Sequence, residues 1–141
     1  MTPVLRDLLS SQAFFAPTAR RTIIKSPVEL VVGTLRSLEG RANLANCVQL
    51  MSDLGQNLLE PPTVKGWEGG RLWINATSML QRSNFAADLL AGDRYGRIAR
   101  PDRDTDYAEI LLGGEFPAAT SERDLRGRIQ LLMSTPEYQL I

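Results

Sequence analysis

The stretch SPVELVVGTLRSLEG, Ser26 to Gly40, decides how the rest of the chain is to be read. Ser26 is a residue type that caps helices, Pro27 brings the fixed φ that suits a first helical position, and Glu29 stands three residues after Ser26, the spacing of a capping box. Behind that start, Val28, Val31, Val32, Leu35 and Leu38 recur at the period of a helix with one apolar side. No two-residue alternation competes with this pattern, so the stretch reads as helix and sets the class expected of its neighbours.

Working outward, the same spacing returns after Gly40 in NLANCVQLMSDLG, where Leu44, Cys47, Val48, Met51 and Leu54 form a stripe and Gly55 ends it. NATSMLQRSNFAADLLAG is a longer helix capped by Asn75 or a residue near it and stopped by Gly92, with Met79, Leu80, Ala86, Ala87 and Leu90 expected inside. Toward the N-terminus, Pro3 to Ser11 is a short helix with Val4, Leu5, Leu8 and Leu9 on one side, after which AFFAP supplies aromatic packing and a stop at Pro17. Toward the C-terminus, DRYGRIARPDRDTDY is an exposed connection, Tyr107 to Leu112 forms a further turn or two, and GGEFPAAT breaks the chain. A last helix starts around Ser121, with Leu125, Ile129, Leu132 and Met133 inside, and stops at Pro136. The fold expected is all-α, a single compact bundle of about five to six helices with one long ordered loop rich in Pro, Gly and Trp. LLSSQAF near the start faintly echoes LMSTPEY near the end, too briefly to establish a repeat.

A chain of 141 residues has the size of one domain able to bury a normal core, and 43% hydrophobic with 23% charged residues is globular composition. Apolar runs are only a few residues long, so no transmembrane segment is expected. Formal net charge is zero with both signs interspersed, which disfavours nucleic acid as a partner; ARRTIIK, with Arg20, Arg21 and Lys25, is the one locally basic piece. Histidine is absent and Cys47 is the only cysteine. Ser-His-Asp and Cys-His catalysis and the usual zinc sets are therefore outside what this chain can do alone. Asp102, Asp104 and Asp106 begin like a calcium loop, but Tyr107 and Gly113 occupy the positions where that loop needs glycine and glutamate. No metal and no cofactor is expected.

The helical pattern is interrupted once, by EPPTVKGWEGGRLWIN, Glu60 to Asn75. Pro61 and Pro62 force an extended start, and Gly66, Gly69 and Gly70 permit unusual backbone angles. Trp67 and Trp73, the chain's two tryptophans, both lie here. Lys65, Trp67, Arg71 and Trp73 are the candidate ligand-binding residues: flat indole faces suit sugar rings, and the cations suit a sulfate or phosphate at the start of the following helix. Glu60 and Glu68 are weak candidates for a general acid and base. Weighed above these is the reading that the tryptophans are buried pegs that fasten the loop over the helices, with the glycines shaping its turns.

KSPVELVVGTLR, LGQNLLEPPTVKGWEGGRLWINATSMLQRSNFAADLL and LLMSTPEYQL, in this order, resemble the C-terminal part of a large bacterial family, domain of unknown function 1800. The likeness runs from about Leu5 to Leu140 and is most specific across the PP-x-VKGW-x-GG-x-x-W segment. It implies that residues 1–141 form one helical domain, the C-terminal fragment of a larger protein, and leaves open whether Met1 is the natural start. It further implies a periplasmic or secreted setting and, as partners, the remainder of its own chain and a sulfatase-like protein commonly encoded nearby. No activity or catalytic residue comes with the family. The expected function is a non-catalytic helical interaction module of an exported cell-envelope protein, with the 60–75 loop forming a groove or docking surface. The alternative is part of a carbohydrate, sulfate or phosphate site of an envelope enzyme acting on polysaccharide.

Overall fold

The computed structural model describes residues 2–99, 102, 104–114 and 125–141. Its helices are α1 (Thr2–Leu9), α2 (Pro27–Ser37), α3 (Leu44–Asp53), α4 (Ala76–Ala91), α5 (Tyr107–Leu112) and α6 (Leu125–Ser134). The fold is mostly helical, as the periodicity requires. The expected start of the last helix, Ser121 to Asp124, and most of GGEFPAAT lie outside the described residues.

The local signals around α2 act as their chemistry dictates. The Ser26 hydroxyl accepts from Glu29 N–H at 3.3 Å, and the Glu29 carboxylate accepts from Ser26 N–H at 2.8 Å. A third free donor of this first turn, Val28 N–H, is taken by the side-chain oxygen of Gln56, 3.0 Å away, just beyond the end of α3. The buried face is rotated relative to the apolar count. Pro27, Leu30, Val31, Thr34 and Leu38 lie inside, while Val32 faces solvent and Val28 and Leu35 sit at the flank. Thr34 displaces them because its hydroxyl is satisfied twice, donating to Leu30 O and sharing a 2.5 Å bond with the Tyr138 hydroxyl.

The same correction recurs in α3 and α4. In α3, Cys47, Leu50, Met51 and Leu54 are buried, and Leu44 and Val48 face outward. In α4, Ser78, Arg82, Phe85, Ala86, Leu89 and Leu90 form the inner face, so Leu80 points to solvent and Met79 and Ala87 lie at the edges. Asn75 and Ser78 cap α4 reciprocally, and Gly92 closes it at φ 78°, an angle a side chain resists. Helix α4 packs chiefly on α6, and α2 lies against α3 and α5. Each fully buried Leu or Phe of this core contributes roughly 1.5–3 kcal/mol of apolar burial.

The DRYGRIARPDRDTDY segment is not wholly a free connection. Gly96–Arg97 (β2) pairs antiparallel with Arg41–Ala42 (β1), Arg41 opposite Arg97 and Ala42 opposite Gly96. Tyr95 is buried edge-on against Phe85, ring centroids 5.2 Å apart, and its carbonyl accepts from the Cys47 thiol. Asp106 caps α5 through Ala108 and Glu109 N–H. After α6, Tyr138 and Gln139 are buried and the tail runs back beside the segment before α2, with Lys25 N–H on Gln139 O at 2.8 Å and Ile141 N–H on Ile23 O at 2.8 Å.

At the other end, α1 buries no residue. Its apolar side is present as the sequence predicts, but Val4, Leu5, Leu8 and Leu9 are all more than half exposed. Phe14 and Phe15 pack edge-on against each other at 5.2 Å and are otherwise exposed, so AFFAP does not pack into the core.

Candidate functional site

The 60–75 loop is built from short turns. Asn57 holds the Glu60 carboxylate through its side-chain amide, and Leu59 takes a positive φ of 66° ahead of the prolines. Thr63 to Gly66 closes on itself: Gly66 N–H donates to Thr63 O at 2.9 Å, and the Thr63 hydroxyl accepts from Lys65 N–H at 3.2 Å. Gly66, at φ 90°, makes that closure possible. Val64 and Lys65 stand fully outward at the tip. A 3-10 turn, Gly70–Trp73, then delivers the chain to Asn75 and α4.

The two indoles divide the possible roles between them. Trp73 is only 7% exposed, and its carbonyl accepts from the buried Ser78 hydroxyl at 3.0 Å, so it is anchored from both ends. Its ring passes so near Gly55 and Gly69 that a Cβ on either would touch it at 3.7 Å. Trp67 is only half-buried. Between them lies an open cleft of ≈ 380 Å³ whose walls include Leu54, Pro62, Leu72 and the carboxylate-bearing Glu68. Trp73 is thus a peg, while Trp67 is a half-buried member of the cleft wall.

The structure brings Trp67, Glu68, Trp73, Pro62 and Gly55 to this cleft. Glu60 is tied to Asn57, Lys65 stands at the turn tip, and Arg71 is exposed on the 3-10 turn; none of the three is part of its wall. The start of α4 is already engaged, with Ser78 N–H on Asn75 Oδ1 at 2.9 Å and Asn75 N–H on Ser78 Oγ at 2.8 Å. Among the described residues no group of three potential metal ligands comes together, and no helix is long and apolar enough to cross a membrane.

A second polar assembly lies where α4 meets the tail. The Arg82 guanidinium, 2% exposed, donates to Gln139 Oε1 at 3.0 Å and to Lys25 O at 2.9 Å, and its Nε is buried without a partner. Loss of water lowers its pKa to about 10. The Lys25 ammonium lies 3.8 Å from the centroid of the Tyr138 ring, and burial, then the nearby Arg82 charge, pulls its pKa down to about 8. Burial pushes the Tyr138 hydroxyl up to about 12 against the bond from Thr34. Sequence reasoning missed Arg82, although Ser78, Arg82, Phe85 and Leu89 share one helical face by spacing alone. Its charge argued for the outside, since arginine is seldom fully buried without partners.

The chain belongs to the family described as protein of unknown function (DUF1800), whose model matches residues 1–140. No curated protein and no solved structure matches it.

Proposed function

We propose that the chain is a non-catalytic helical interaction module of an exported cell-envelope protein, and that its 60–75 loop docks an apolar segment of a protein partner or of the remainder of a longer chain. The observation that carries this reading is the cleft between Trp67 and Trp73, whose walls are mostly apolar and whose charged member is a carboxylate. An apolar side chain flanked by a basic residue suits such a cleft; a sulfate or phosphate does not, because Lys65 and Arg71 lie off its wall. Leu72 on its wall is 64% exposed, and Leu59 and Val64, in the stretch of chain before Trp67, are 93% and 107% exposed; exposed apolar side chains of this kind support an interaction surface. The sulfatase-like protein associated with the family is the first partner to test.

The test is photo-crosslinking from position 72 in a full-length family protein, with a benzophenone amino acid replacing Leu72. The expected result is crosslinking to one defined peptide, of the same chain or of the sulfatase-like protein, that disappears when Trp67→Ala is added with folding intact. Absence of any such crosslink defeats the docking reading. The second reading, a sugar-binding cleft of an envelope enzyme, is favoured by Trp67 and Glu68 lining the same cleft. It requires that a neutral or sulfated oligosaccharide change the indole emission of the chain in titration, and that Trp67→Ala abolish the change.

A further inference from the structure

Beside its cleft, the 60–75 loop carries the kind of group that the cleft suits. Thr63, Val64, Lys65 and Gly66 form a turn closed three ways. Gly66 N–H donates to Thr63 O at 2.9 Å, and the Thr63 hydroxyl accepts from Lys65 N–H at 3.2 Å and donates to Gly66 O at 3.3 Å. Val64 and Lys65 occupy the tip, and Val64, at 107%, is the most exposed large apolar side chain among the described residues. An apolar group beside a cation thus stands on backbone that is already ordered, so little conformational freedom is lost when it meets a partner. Its own cleft does not receive it. The wall takes Pro62 and Thr63 from before the tip and Trp67, Glu68 and Leu72 from after it, but neither Val64 nor Lys65.

We propose that the segment docked by this loop is the Val64–Lys65 tip of a second copy of the chain, an assignment that rests on the docking role above, and that the two loops clasp each other about a two-fold axis. Val64 of each copy enters the other's cleft between Trp67 and Leu72, and Lys65 of each meets the other's Glu68. Charge selects this occupant. The charged member of the cleft wall is the exposed Glu68 carboxylate, and one of the chain's two lysines stands next to the apolar side chain offered to it. A two-fold contact also requires a patch complementary to itself, because whatever a residue touches on the other copy is touched back. The loop meets that requirement within a few residues: Val64 is three positions before Trp67, and Lys65 is three before Glu68. Tip and cleft are therefore each used twice.

One loop per copy buries less than the roughly 1,200 Å² at the low end of stable complexes, so the dimer is a weak one, with a Kd on the order of 10–100 µM.

Sedimentation velocity of the intact chain between about 1 and 500 µM, a range that brackets this Kd, is the test. The expected result is a monomer–dimer equilibrium. Lys65→Glu and Glu68→Lys, both at exposed positions, each set like charges against each other at both contacts and should weaken the dimer by about tenfold or more. The doubly reversed chain, Lys65→Glu with Glu68→Lys, restores opposite charges and should regain the original Kd to within about threefold. A chain that stays monomeric throughout, a dimer indifferent to both single reversals, or a doubly reversed chain no tighter than the single variants each overturns the proposal. The crosslink from position 72 separates this failure from that of the docking role. A crosslink to another segment or another protein, with the chain monomeric, overturns the second copy as occupant and leaves docking standing; neither crosslink nor dimer removes both.

Discussion

Replacing the two tryptophans one at a time separates the peg from the indole of the cleft wall. Trp73 is 7% exposed and sits over Gly55 and Gly69, with its carbonyl bound by Ser78. A buried tryptophan removes roughly 150–250 Å² from water, which at about 25 cal/mol per Å² is about 4–6 kcal/mol. Partial burial in the unfolded chain and the cleft already open beside the ring reduce this, so Trp73→Ala is expected to cost about 3–4 kcal/mol. Trp67 is half-buried and lines a cleft open to solvent, so Trp67→Ala should cost about 1 kcal/mol or less. Urea unfolding followed by far-ultraviolet circular dichroism measures both, and with a slope of about 1.5–2 kcal/mol per molar the midpoints should differ by more than about 1 M. In each variant the single remaining indole reports the loop by fluorescence. Equal losses for the two variants refute the division of roles: both large makes both tryptophans pegs, and both small means that Trp73 does not fasten the loop.

Other consequences follow from single groups. Because the Lys25 pKa is depressed from 10.5 to about 8 in the fold, the unfolded chain binds more protons between those values. Stability relative to Lys25→Met should therefore rise as pH increases from about 8 toward 10.5, by about 1–2 kcal/mol once partial exposure is discounted; a flat difference in urea midpoints contradicts it. At Gly96, φ is 121° and an added Cβ would lie 2.1 Å from Arg41 O, so Gly96→Ala should cost more than about 2 kcal/mol and break the β1–β2 ladder. Gly33 on α2 has nothing within 4 Å of such a Cβ, and Gly33→Ala should stabilise by about 0.5–1 kcal/mol in the same assay. Helix α1, eight residues with none buried, is far below the roughly 12–15 residues at which an isolated helix persists in water, so its amides should exchange without protection in the free chain. Strong protection there refutes the exposure of its apolar side.

What the sequence discloses is governed by how local each determinant is. The capping box at Ser26 and Glu29, the Asn75 cap and the Gly92 stop depend on groups within three or four residues, and they stand where the residue types place them. The orientation of each helix does not depend on local groups. Thr34 turns inward for Tyr138, 104 positions away, and Arg82 for Gln139, 57 positions away, and no window of apolar periodicity contains those partners. The β1–β2 ladder is two residues long on each side, too short for alternation to register. In the loop, residue types disclosed shape, since Gly66 and Gly70 do take positive φ, but not which indole faces inward. The inward indole lies beside Gly55, eighteen residues before Trp73, a neighbour that no local window contains.

The apolar residues that periodicity counts correctly but that the fold leaves outside bear directly on the proposed role. Val4, Leu5, Leu8 and Leu9 share one side of α1, Leu72 lines the cleft, and Leu59 and Val64 stand exposed in the stretch of chain before Trp67, yet the core closes without any of them. Each fully buried aliphatic side chain is worth roughly 1.5–3 kcal/mol, so leaving seven in water forgoes a stabilisation comparable to the whole folding free energy of a small domain. Meanwhile the same fold buries Arg82 with an orphaned Nε, so polar and apolar groups are misallocated in both directions relative to a chain optimised to stand alone. The two misallocations are unlike in kind. Arg82 is fixed inside by the tail and by Lys25, whereas the apolar side chains lie on a helix that buries no residue and on the exposed stretch that leads through the loop to Trp73. A segment that covers the loop can therefore gain apolar contact without disturbing the core, which is the property a docking module needs and an isolated structural unit does not.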